Sequence, residues 1–511
     1  MGIDTFAAVY IGSYEVSIKI FEMSARKKMR DIDYVRRRIE LGRDAYSAGR
    51  IGYPLVEELC DTLREFVKIM KSYKVQHYEV CAAAVIREAS NELFILDQIK
   101  RRTGLSVRIL SNSEYRFICY KAIAMQEAFE EMIQKGAAVV DVGGAGLQIT
   151  IFSKGKVITT QHLGLGTMRM REQLSGKSSS LAQYETQIEE MVEKELAVFR
   201  AMYMKKVDIS YLILAGDYVR ELARKVEKKH NTNLVESDRF ARYLEKLERK
   251  SLEQISEDLG LLNEKDALIV PYMVICRWMA EKLGAGMIWS SGALISDGIA
   301  CDYAERNRIY KVCHDFEEDI ISAAKSLSDR YMSYSPHIDA LTQMSTQIFD
   351  SMKKEHGMGN RERLLLRVAA ILHDCGKYIS LANGPECSYN IIMACEIMGL
   401  THRERQIVAN TVLYNTYPLV PYEEVAEQFD EETYLTVAKL SAILRVANAM
   451  DRSHRQKFKN VKTVVRGREL VITIETAEDL ALERTLFDAK TAFFEDVFCI
   501  RPVIREKRVY S

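Results

Sequence analysis

The sequence is poor in the residues that build disulfide-bonded or β-rich domains. It has 7 prolines, 26 glycines and 2 tryptophans among 511 residues, which leaves little room for long disordered segments. The 10 cysteines are scattered and include no Cys-x-x-Cys pair. This spacing excludes a zinc ribbon and disfavours a secreted disulfide framework. We therefore expect reduced thiols in a protein rich in helices.

The sequence also lacks an excess of charge and a long apolar segment. Lys and Arg together number 72, as do Asp and Glu, whereas general nucleic-acid binders carry an excess of Lys and Arg. No apolar run reaches the roughly 18 residues of a membrane-spanning helix, and the amino terminus shows no signal-peptide pattern. The sequence predicts a cytoplasmic protein with no nucleic-acid and no membrane partner. A local pocket for a small anion remains compatible with this balance.

The length and the order of predicted elements indicate several domains. A chain of 511 residues corresponds to about three or four domains of typical size. Its first third alternates short apolar strands with amphipathic helices, as an α/β domain does. The predicted strands span residues 6–11, 16–21, 80–85 and 107–110, and a predicted helix spans residues 55–73.

An internal repeat relates two parts of this region. Residues 8–13 (AVYIGS) align with residues 139–144 (VVDVGG), and residues 17–21 (SIKIF) align with residues 148–152 (QITIF). Each copy reads as a strand, a glycine loop and a hairpin. The repeat predicts two similar lobes whose glycine loops point into one cleft.

The two glycine loops are candidate anion sites. A glycine turn after a strand lets backbone N–H groups converge on an anion, because no β-carbon blocks the approach. Two such loops facing each other can hold a phosphate chain from both sides. Asp141 precedes the second loop and can hold a divalent cation that bridges phosphates, but Tyr10 is its counterpart in the first copy.

The composition changes near residue 307. No strand is predicted between residues 307 and 455, which read as an all-helical bundle. The predicted helices span residues 316–332, 338–354, 364–373, 388–398, 403–414 and 434–450. A short tail follows, with predicted strands at 461–465 and 470–474 and a helix at 481–494.

Four residues of the helical block form a candidate metal site. His373 and Asp374 follow an apolar helix, His337 opens an earlier helix and Asp451 ends a later one. Imidazole nitrogens together with carboxylates are good ligands for first-row divalent metals.

Four segments resemble the exopolyphosphatase/guanosine pentaphosphate phosphatase (Ppx/GppA) family of the actin-like ATPase superfamily. Residues 11–13 (IGS) are similar to part of its Asp-Leu-Gly-Ser-Asn-Ser segment, and residues 84–91 (AVIREASN) to its Arg-Glu-Ala-x-Asn segment. Residues 109–115 (ILSNSEY) resemble its Ser-Gly-x-Glu-Glu segment, and residues 141–148 (DVGGAGLQ) its Asp-x-Gly-Gly-Gly-Ser-x-Glu loop.

The resemblance implies a catalytic site from which several carboxylates are missing. In the family, the second Glu of Ser-Gly-x-Glu-Glu activates water and loop carboxylates place a metal. Here Tyr115 stands at the base position, and Tyr10 and Gln148 replace two loop carboxylates. Asp141 remains, and Glu114 is the neighbouring candidate base. A tyrosine with a pKa near 10 does not act as a carboxylate base at neutral pH.

The phosphate-binding part of that site is preserved better. The candidate phosphate-binding residues, none of which needs a carboxylate, are Gly12, Ser13, Arg87, Gly143 and Gly144. A divalent cation such as Mg²⁺ or Mn²⁺ near Asp141 is the implied cofactor.

The helical block resembles the HD metallophosphohydrolase superfamily. Residues 447–454 (ANAMDRSH) look like the Ala-Asp-x-Leu-Asp-Arg-Ser-His segment of Ppx/GppA relatives. The resemblance implies metal ligands at His337, His373, Asp374 and Asp451. Residues 384–388 (GPECS) and Asn415 stand where active relatives have further histidines, so one metal is expected rather than two.

The combined prediction is an α/β plus all-α protein with two actin-like (ribonuclease H-like) lobes, residues 1–125 and 126–305. An HD-type helical domain at 306–458 and a small α+β unit at 459–511 follow. The nominal activity is hydrolysis of the terminal phosphate of polyphosphate or guanosine pentaphosphate, the expected small anionic ligands. Two alternatives stay open: an inactive phosphate- or nucleotide-binding regulatory protein, and a phosphohydrolase acting through the HD metal site. A homodimer is compatible with the sequence.

Overall fold

The computed structural model describes most of the chain. The described residues are 4–24, 28–82, 84–174, 181–205, 207–216, 218–226, 233–260, 268–309 and 314–508. The chain divides into two compact units, Met1–Asp315 and Phe316–Ser511. Within the described ranges, no helix is both long and apolar enough to cross a lipid bilayer. The cysteines of those ranges are free thiols, and Cys313 lies outside them.

The first unit contains a five-stranded sheet. Its strands are β1 (Asp4–Ile11), β2 (Glu15–Ser24), β3 (Lys28–Arg38), β4 (His77–Ala82) and β5 (Val107–Ile109), in the order β3-β2-β1-β4-β5. β1 pairs antiparallel with β2 and parallel with β4. This central position explains why β1 is an almost continuous apolar run.

A six-stranded sheet repeats this plan. Its strands are β6 (Ala137–Val142), β7 (Leu147–Ser153), β8 (Lys156–Leu163), β9 (Tyr211–Gly216), β10 (Leu234–Glu236) and β11 (Met287–Ser290), in the order β10-β11-β9-β6-β7-β8. β6 pairs antiparallel with β7 and parallel with β9, as β1 does with β2 and β4. The repeat read from the sequence is therefore present as two equivalent strand arrangements.

Helices pack against both sheets. They are α1 (Leu41–Ala48), α2 (Tyr53–Ser72), α3 (Ala84–Arg87), α4 (Glu92–Thr103), α5 (Asn112–Ala124), α6 (Ala128–Gln134), α7 (Thr167–Leu174), α8 (Leu181–Tyr203), α9 (Val219–Val226), α10 (Ser237–Glu248), α11 (Leu252–Leu259), α12 (Ile269–Lys282) and α13 (Ile295–Arg306). The predicted strand at 80–85 is wrong at its end, because β4 ends at Ala82 and α3 begins at Ala84.

The second unit is a helical bundle that shares its core with a small sheet. Its helices are α14 (Phe316–Arg330), α15 (Ser335–Ser351), α16 (Lys353–His356), α17 (Asn360–Leu372), α18 (Gly384–Ala394), α19 (His402–Leu413), α20 (Tyr422–Val425), α21 (Glu431–Met450) and α22 (Ala481–Phe498), with a 3-10 turn at Cys375–Tyr378. Its strands β12 (Lys459–Arg466), β13 (Glu469–Thr476) and β14 (Arg501–Arg508) form a sheet in that order. Each predicted helix between residues 307 and 455 overlaps a helix of the structure. Leu470, Ile472 and Phe487 of the tail join the same hydrophobic cluster as the bundle.

Candidate functional site

The two glycine loops of the first unit face each other. Gly12 and Ser13 follow β1, and Gly143 and Gly144 follow β6. A β-carbon placed on Gly144 would lie 3.3 Å from the β-carbon of Ser13. The loops meet because β1 and β6 occupy equivalent positions in their sheets and both end at this cleft.

In each loop one backbone N–H closes the turn and the next one remains for a ligand. Gly12 N–H donates to Glu15 C=O at 2.9 Å, and Gly143 N–H donates to Gly146 C=O at 3.0 Å. These bonds close the two hairpin turns. The N–H groups of Ser13 and Gly144 have no hydrogen-bond partner in the part of the chain that the structure describes. An anion between the loops is therefore within reach of these two donors.

A cavity of about 940 Å³ lies between the loops. This volume is in the upper range of small-molecule sites. Its lining includes both glycine loops and side chains of α5, among them Asn112 and Arg116. Arg116 is buried and places a positive charge beside a cavity whose expected ligand is an anion. The sequence analysis did not identify either residue, because a single Asn or Arg in a helix is not part of a recognisable motif.

Asp141 is the carboxylate of the second loop. It ends β6 next to the glycines and lies opposite Gln148 of β7. Burial raises its pKa to about 6, while a hydrogen bond with the Cys119 thiol and the charge of Arg116 act in the opposite direction. At pH 7 the group is therefore mostly ionised, and a bound cation would favour the ionised form further.

Neutral side chains surround Asp141 where the family resemblance implied acids. The rings of Tyr10 and Tyr115 lie with centroids 6.0 Å apart. Burial and the nearby Asp141 carboxylate raise the pKa of Tyr115 well above its usual value, so it is a neutral phenol. Gln148 is 8% exposed, and its Oε1 has no hydrogen-bond partner among the described residues.

Other carboxylates of the cavity are already paired. Lys19 is buried and its Nζ lies 2.5 Å from Asp297 Oδ1 and 2.7 Å from Asp31 Oδ2. The single charge of Lys19 is shared by two carboxylates, so this group leaves one excess negative charge at its edge of the cleft. Asp141 and Arg116 are the charged pair next to the second glycine loop.

Glu114 and Arg87 lie beside the cavity and support α5. Glu114 accepts from the N–H of Ser111 at 2.9 Å, and Ser111 Oγ accepts from the N–H of Glu114 at 3.2 Å, which is a capping box. Arg87 donates to Leu110 C=O and, at 2.5 Å, to Asn112 Oδ1. Among the described residues, neither side chain lines the cavity. The structure thus gives both residues a positioning role for the helix that carries Tyr115.

A second cluster lies in the second unit. One ligand atom each from His337, Asp374 and His454 lies within 4.8 Å of the others. The rings of His337 and His373 lie 5.1 Å apart between centroids. His373 Nδ1 donates to Ala370 C=O at 2.8 Å. His373 Nε2 lies 3.3 Å from Asp374 Oδ1, and His337 Nδ1 lies 2.8 Å from Asp451 Oδ2, so the four predicted metal ligands lie close together.

Asp451 lies directly beside His337. It accepts a hydrogen bond from His337 Nδ1 at 2.8 Å and another from the N–H of Gln456 at 2.8 Å. Asp451 therefore fixes the orientation of the His337 ring through its Nδ1 atom. His454, three residues further along, also contacts His337, with the two rings stacked at 3.8 Å between centroids. The sequence analysis did not single out His454, although it closes the ANAMDRSH segment.

Two family models match the chain. The model described as the Ppx/GppA phosphatase family matches residues 20–306, and the model for domain III of Ppx/GppA phosphatase matches residues 321–490. The second match covers most of the region expected to be HD-type. The first alone covers more than half of the chain.

Curated relatives match across both units. The guanosine-5'-triphosphate,3'-diphosphate pyrophosphatase of Aeromonas hydrophila is 23% identical over 449 residues, covering 86% of this chain and 86% of that protein. The protein of the same name from Aliivibrio fischeri (strain MJ11) is 18% identical over 446 residues, also covering 86% of each chain.

Solved structures show the same fold. An exopolyphosphatase from Cytophaga hutchinsonii has a TM-score of 0.53 at 15% identity, covering 60% of this chain and 99% of that chain. The Aquifex aeolicus member of the Ppx/GppA family has a TM-score of 0.51 at 20% identity, covering 61% and 100%. By its matched family models and its fold, the chain belongs to the Ppx/GppA phosphatase family.

Proposed function

We propose that the cleft of the first unit binds the terminal phosphates of guanosine pentaphosphate or polyphosphate, and that it hydrolyses them slowly. The observation that carries this proposal is the pair of opposed loops. Ser13 and Gly144 offer backbone donors from opposite sides of one cavity. The relatives are named for a guanosine pentaphosphate substrate and for polyphosphate, both of which end in a phosphate chain.

A divalent cation fits beside the loops. Asp141 supplies a carboxylate oxygen, and Gln148, its partner across the β6–β7 pair, supplies an amide oxygen that lacks a hydrogen bond among the described residues. Oxygen ligands of this kind suit Mg²⁺ or Mn²⁺. When bound, the cation would neutralise charge on the phosphate chain. Arg116 would do the same from α5.

Slow hydrolysis follows from the missing base. Tyr115 is a neutral phenol, and the Glu114 carboxylate is held in its capping box. Loss of a general base typically lowers the rate by about 10²–10⁴. The donors that hold the phosphate need no base, so binding persists when turnover is weak. A regulatory phosphate- or nucleotide-binding protein is the limiting case in which turnover is zero.

We also propose that the domain III region is HD-type. The supporting observation is the approach of His337, in the first turn of α15, to His373 and Asp374, which follow α17. The predicted domain limits at residues 125, 305 and 458, the cytoplasmic location and the homodimer stay predictions.

Narrowing the gap between the loops tests the phosphate site. We expect Gly144→Val to weaken tripolyphosphate binding at least about tenfold, because a side chain there meets Ser13 and removes access to one charge-assisted hydrogen bond. The measurement is calorimetric titration with Mg²⁺ present. Gly164→Val is the matched control, since a β-carbon at Gly164 has no atom within 4 Å. Thermal melting curves show whether both variants are folded. If both are folded and bind tripolyphosphate with equal affinity, the proposed site is wrong.

A further inference from the structure

The hydroxyl of Ser13, in the first glycine loop, is held by a tyrosine. Ser13 Oγ and Tyr46 Oη lie 2.6 Å apart, which is hydrogen-bond distance. Ser13 lines the cavity between the loops, whereas Tyr46, in α1, is not among the described residues of that lining. Tyr46 therefore acts on a ligand in the cavity through Ser13.

Tyr46 is packed tightly against the first loop. Its ring contacts the hydrophobic cluster of the five-stranded sheet and that of the six-stranded sheet. Gly42, one helical turn earlier in α1, leaves space for this ring, because a β-carbon there would lie 2.8 Å from Tyr46 Cε2 and 3.1 Å from Ser13 Cβ. Gly42 N–H also donates to Ser13 C=O at 2.8 Å. The ring and the loop therefore have little freedom to separate.

Arg169, in α7, links Tyr46 to the second glycine loop. Its guanidinium carbon lies 5.1 Å from the centroid of the Tyr46 ring, which is within the range of a cation–π interaction. Its Nε donates to Ala145 C=O of the second loop at 3.0 Å, and its Nη2 donates to Glu88 Oε2 at 2.8 Å. The ring that holds Ser13 is therefore tied to the loop on the opposite side of the cavity.

An anion in the cavity favours one direction of the hydrogen bond between the two hydroxyls. Burial raises the pKa of Tyr46 to about 12, although the hydrogen bond with Ser13 and the charge of Arg169 act in the opposite direction. The phenol therefore keeps its proton at neutral pH. A serine hydroxyl donates one hydrogen bond and accepts up to two. When Tyr46 O–H donates to Ser13 Oγ, the Ser13 O–H is left for the anion, and the two bonds strengthen each other.

We propose that Tyr46 is a positioning residue of the phosphate site, and that it sets the Ser13 hydroxyl as a donor to a phosphate oxygen of the bound chain. The inference rests on the proposed function of the cleft. It adds a side-chain donor to the backbone N–H groups of Ser13 and Gly144. Such a donor binds a phosphate oxygen without a cation, which suits a loop in which Tyr10 stands in place of a carboxylate.

A double-mutant cycle on tripolyphosphate binding tests the proposal. Calorimetric titrations with Mg²⁺ compare the unaltered protein, Tyr46→Phe, Ser13→Ala and the double variant. We expect Tyr46→Phe to weaken binding about 3–10-fold, because phenylalanine keeps the ring but does not orient the Ser13 hydroxyl. In the Ser13→Ala background the same change should alter the affinity by less than about twofold. Tyr53→Phe, at an exposed tyrosine of the same unit, should bind as the unaltered protein does.

The two backgrounds separate positioning of the hydroxyl from support of the loop. If Tyr46 only supported the loop, its replacement would weaken binding equally with and without the Ser13 hydroxyl, and equal losses would overturn the proposal. An unchanged affinity of Tyr46→Phe would overturn it as well. No tripolyphosphate binding by the unaltered protein would instead contradict the proposed function of the cleft, and with it this inference. Melting temperatures of all the variants, compared with that of the unaltered protein, show that weaker binding is not a lost fold.

Discussion

Replacing Tyr115 with glutamate should raise the rate of phosphate release from guanosine pentaphosphate by about 10²-fold or more. The hydroxyl of Tyr115 lies 3.9 Å from a β-carbon placed on Gly143. It carries no negative charge, because burial and Asp141 raise its pKa and keep it protonated. A carboxylate at this position would stand beside the phosphate loop, where it can accept the proton of an attacking water. The measurement is the rate of phosphate release with Mg²⁺ at pH 8.

Tyr115→Gln is the matched control for this gain. It has nearly the shape of glutamate but cannot accept a proton at neutral pH, so its rate should stay at that of the unaltered protein. The glutamate would be buried near Asp141 and should be ionised more completely with Mg²⁺ than without it, because like charges disfavour ionisation. If the Glu and Gln variants release phosphate at the same rate, the missing base is not what limits turnover.

Replacing Asp141 with asparagine should stabilise the fold and weaken phosphate binding. The pKa of Asp141 is about 6 in the folded protein, above its value of about 4 in the unfolded chain. The folded state therefore holds the proton more tightly, and the stability present below pH 4 is lost as the pH rises through 6. Asp141→Asn removes this loss, so its free energy of unfolding at pH 8 should be higher by up to about 3 kcal/mol.

Two measurements check the Asp141 prediction. Urea unfolding at pH 8 and at pH 4 should show a stability gain for Asp141→Asn only at the higher pH. Titration with tripolyphosphate should show that Mg²⁺ no longer strengthens binding by this variant. Asp208→Asn, an exposed acid of the same unit, should change the stability by less than about 0.5 kcal/mol. A destabilised Asp141→Asn at pH 8 would contradict the buried, costly carboxylate described above.

The position of the cleft could be predicted from the sequence because the signal is local and duplicated. Strands β1 and β6 are apolar runs followed directly by glycine, and each is followed by a second strand of matching pattern. The edge strands β3 and β14 could not be found in this way. They carry many Arg and Lys side chains, and an edge strand needs no continuous apolar run because one side has no neighbour.

The roles of single side chains were harder to predict from the sequence. Glu114 stands beside the family's base position, yet the Ser-x-x-Glu spacing from Ser111 is itself a capping-box pattern. The contact between Asp451 and His337 depends on how α15 and α21 pack, which no local pattern specifies. His454 reaches the cluster from a loop in which its own backbone has a positive φ of 54°. Residues other than glycine adopt this conformation rarely, so the sequence does not predict it.

The most direct test of the central claim, that the cleft binds a phosphate chain better than it cuts it, follows binding and hydrolysis in one sample. Guanosine pentaphosphate is titrated into the unaltered protein with Mg²⁺, and both heat and released phosphate are recorded. The expected result is saturable binding of about one ligand per chain, lost in Gly144→Val, with phosphate release at least about 10²-fold slower than in Tyr115→Glu. Turnover by the unaltered protein on the order of 1 s⁻¹ or faster, or no binding at all, would contradict it.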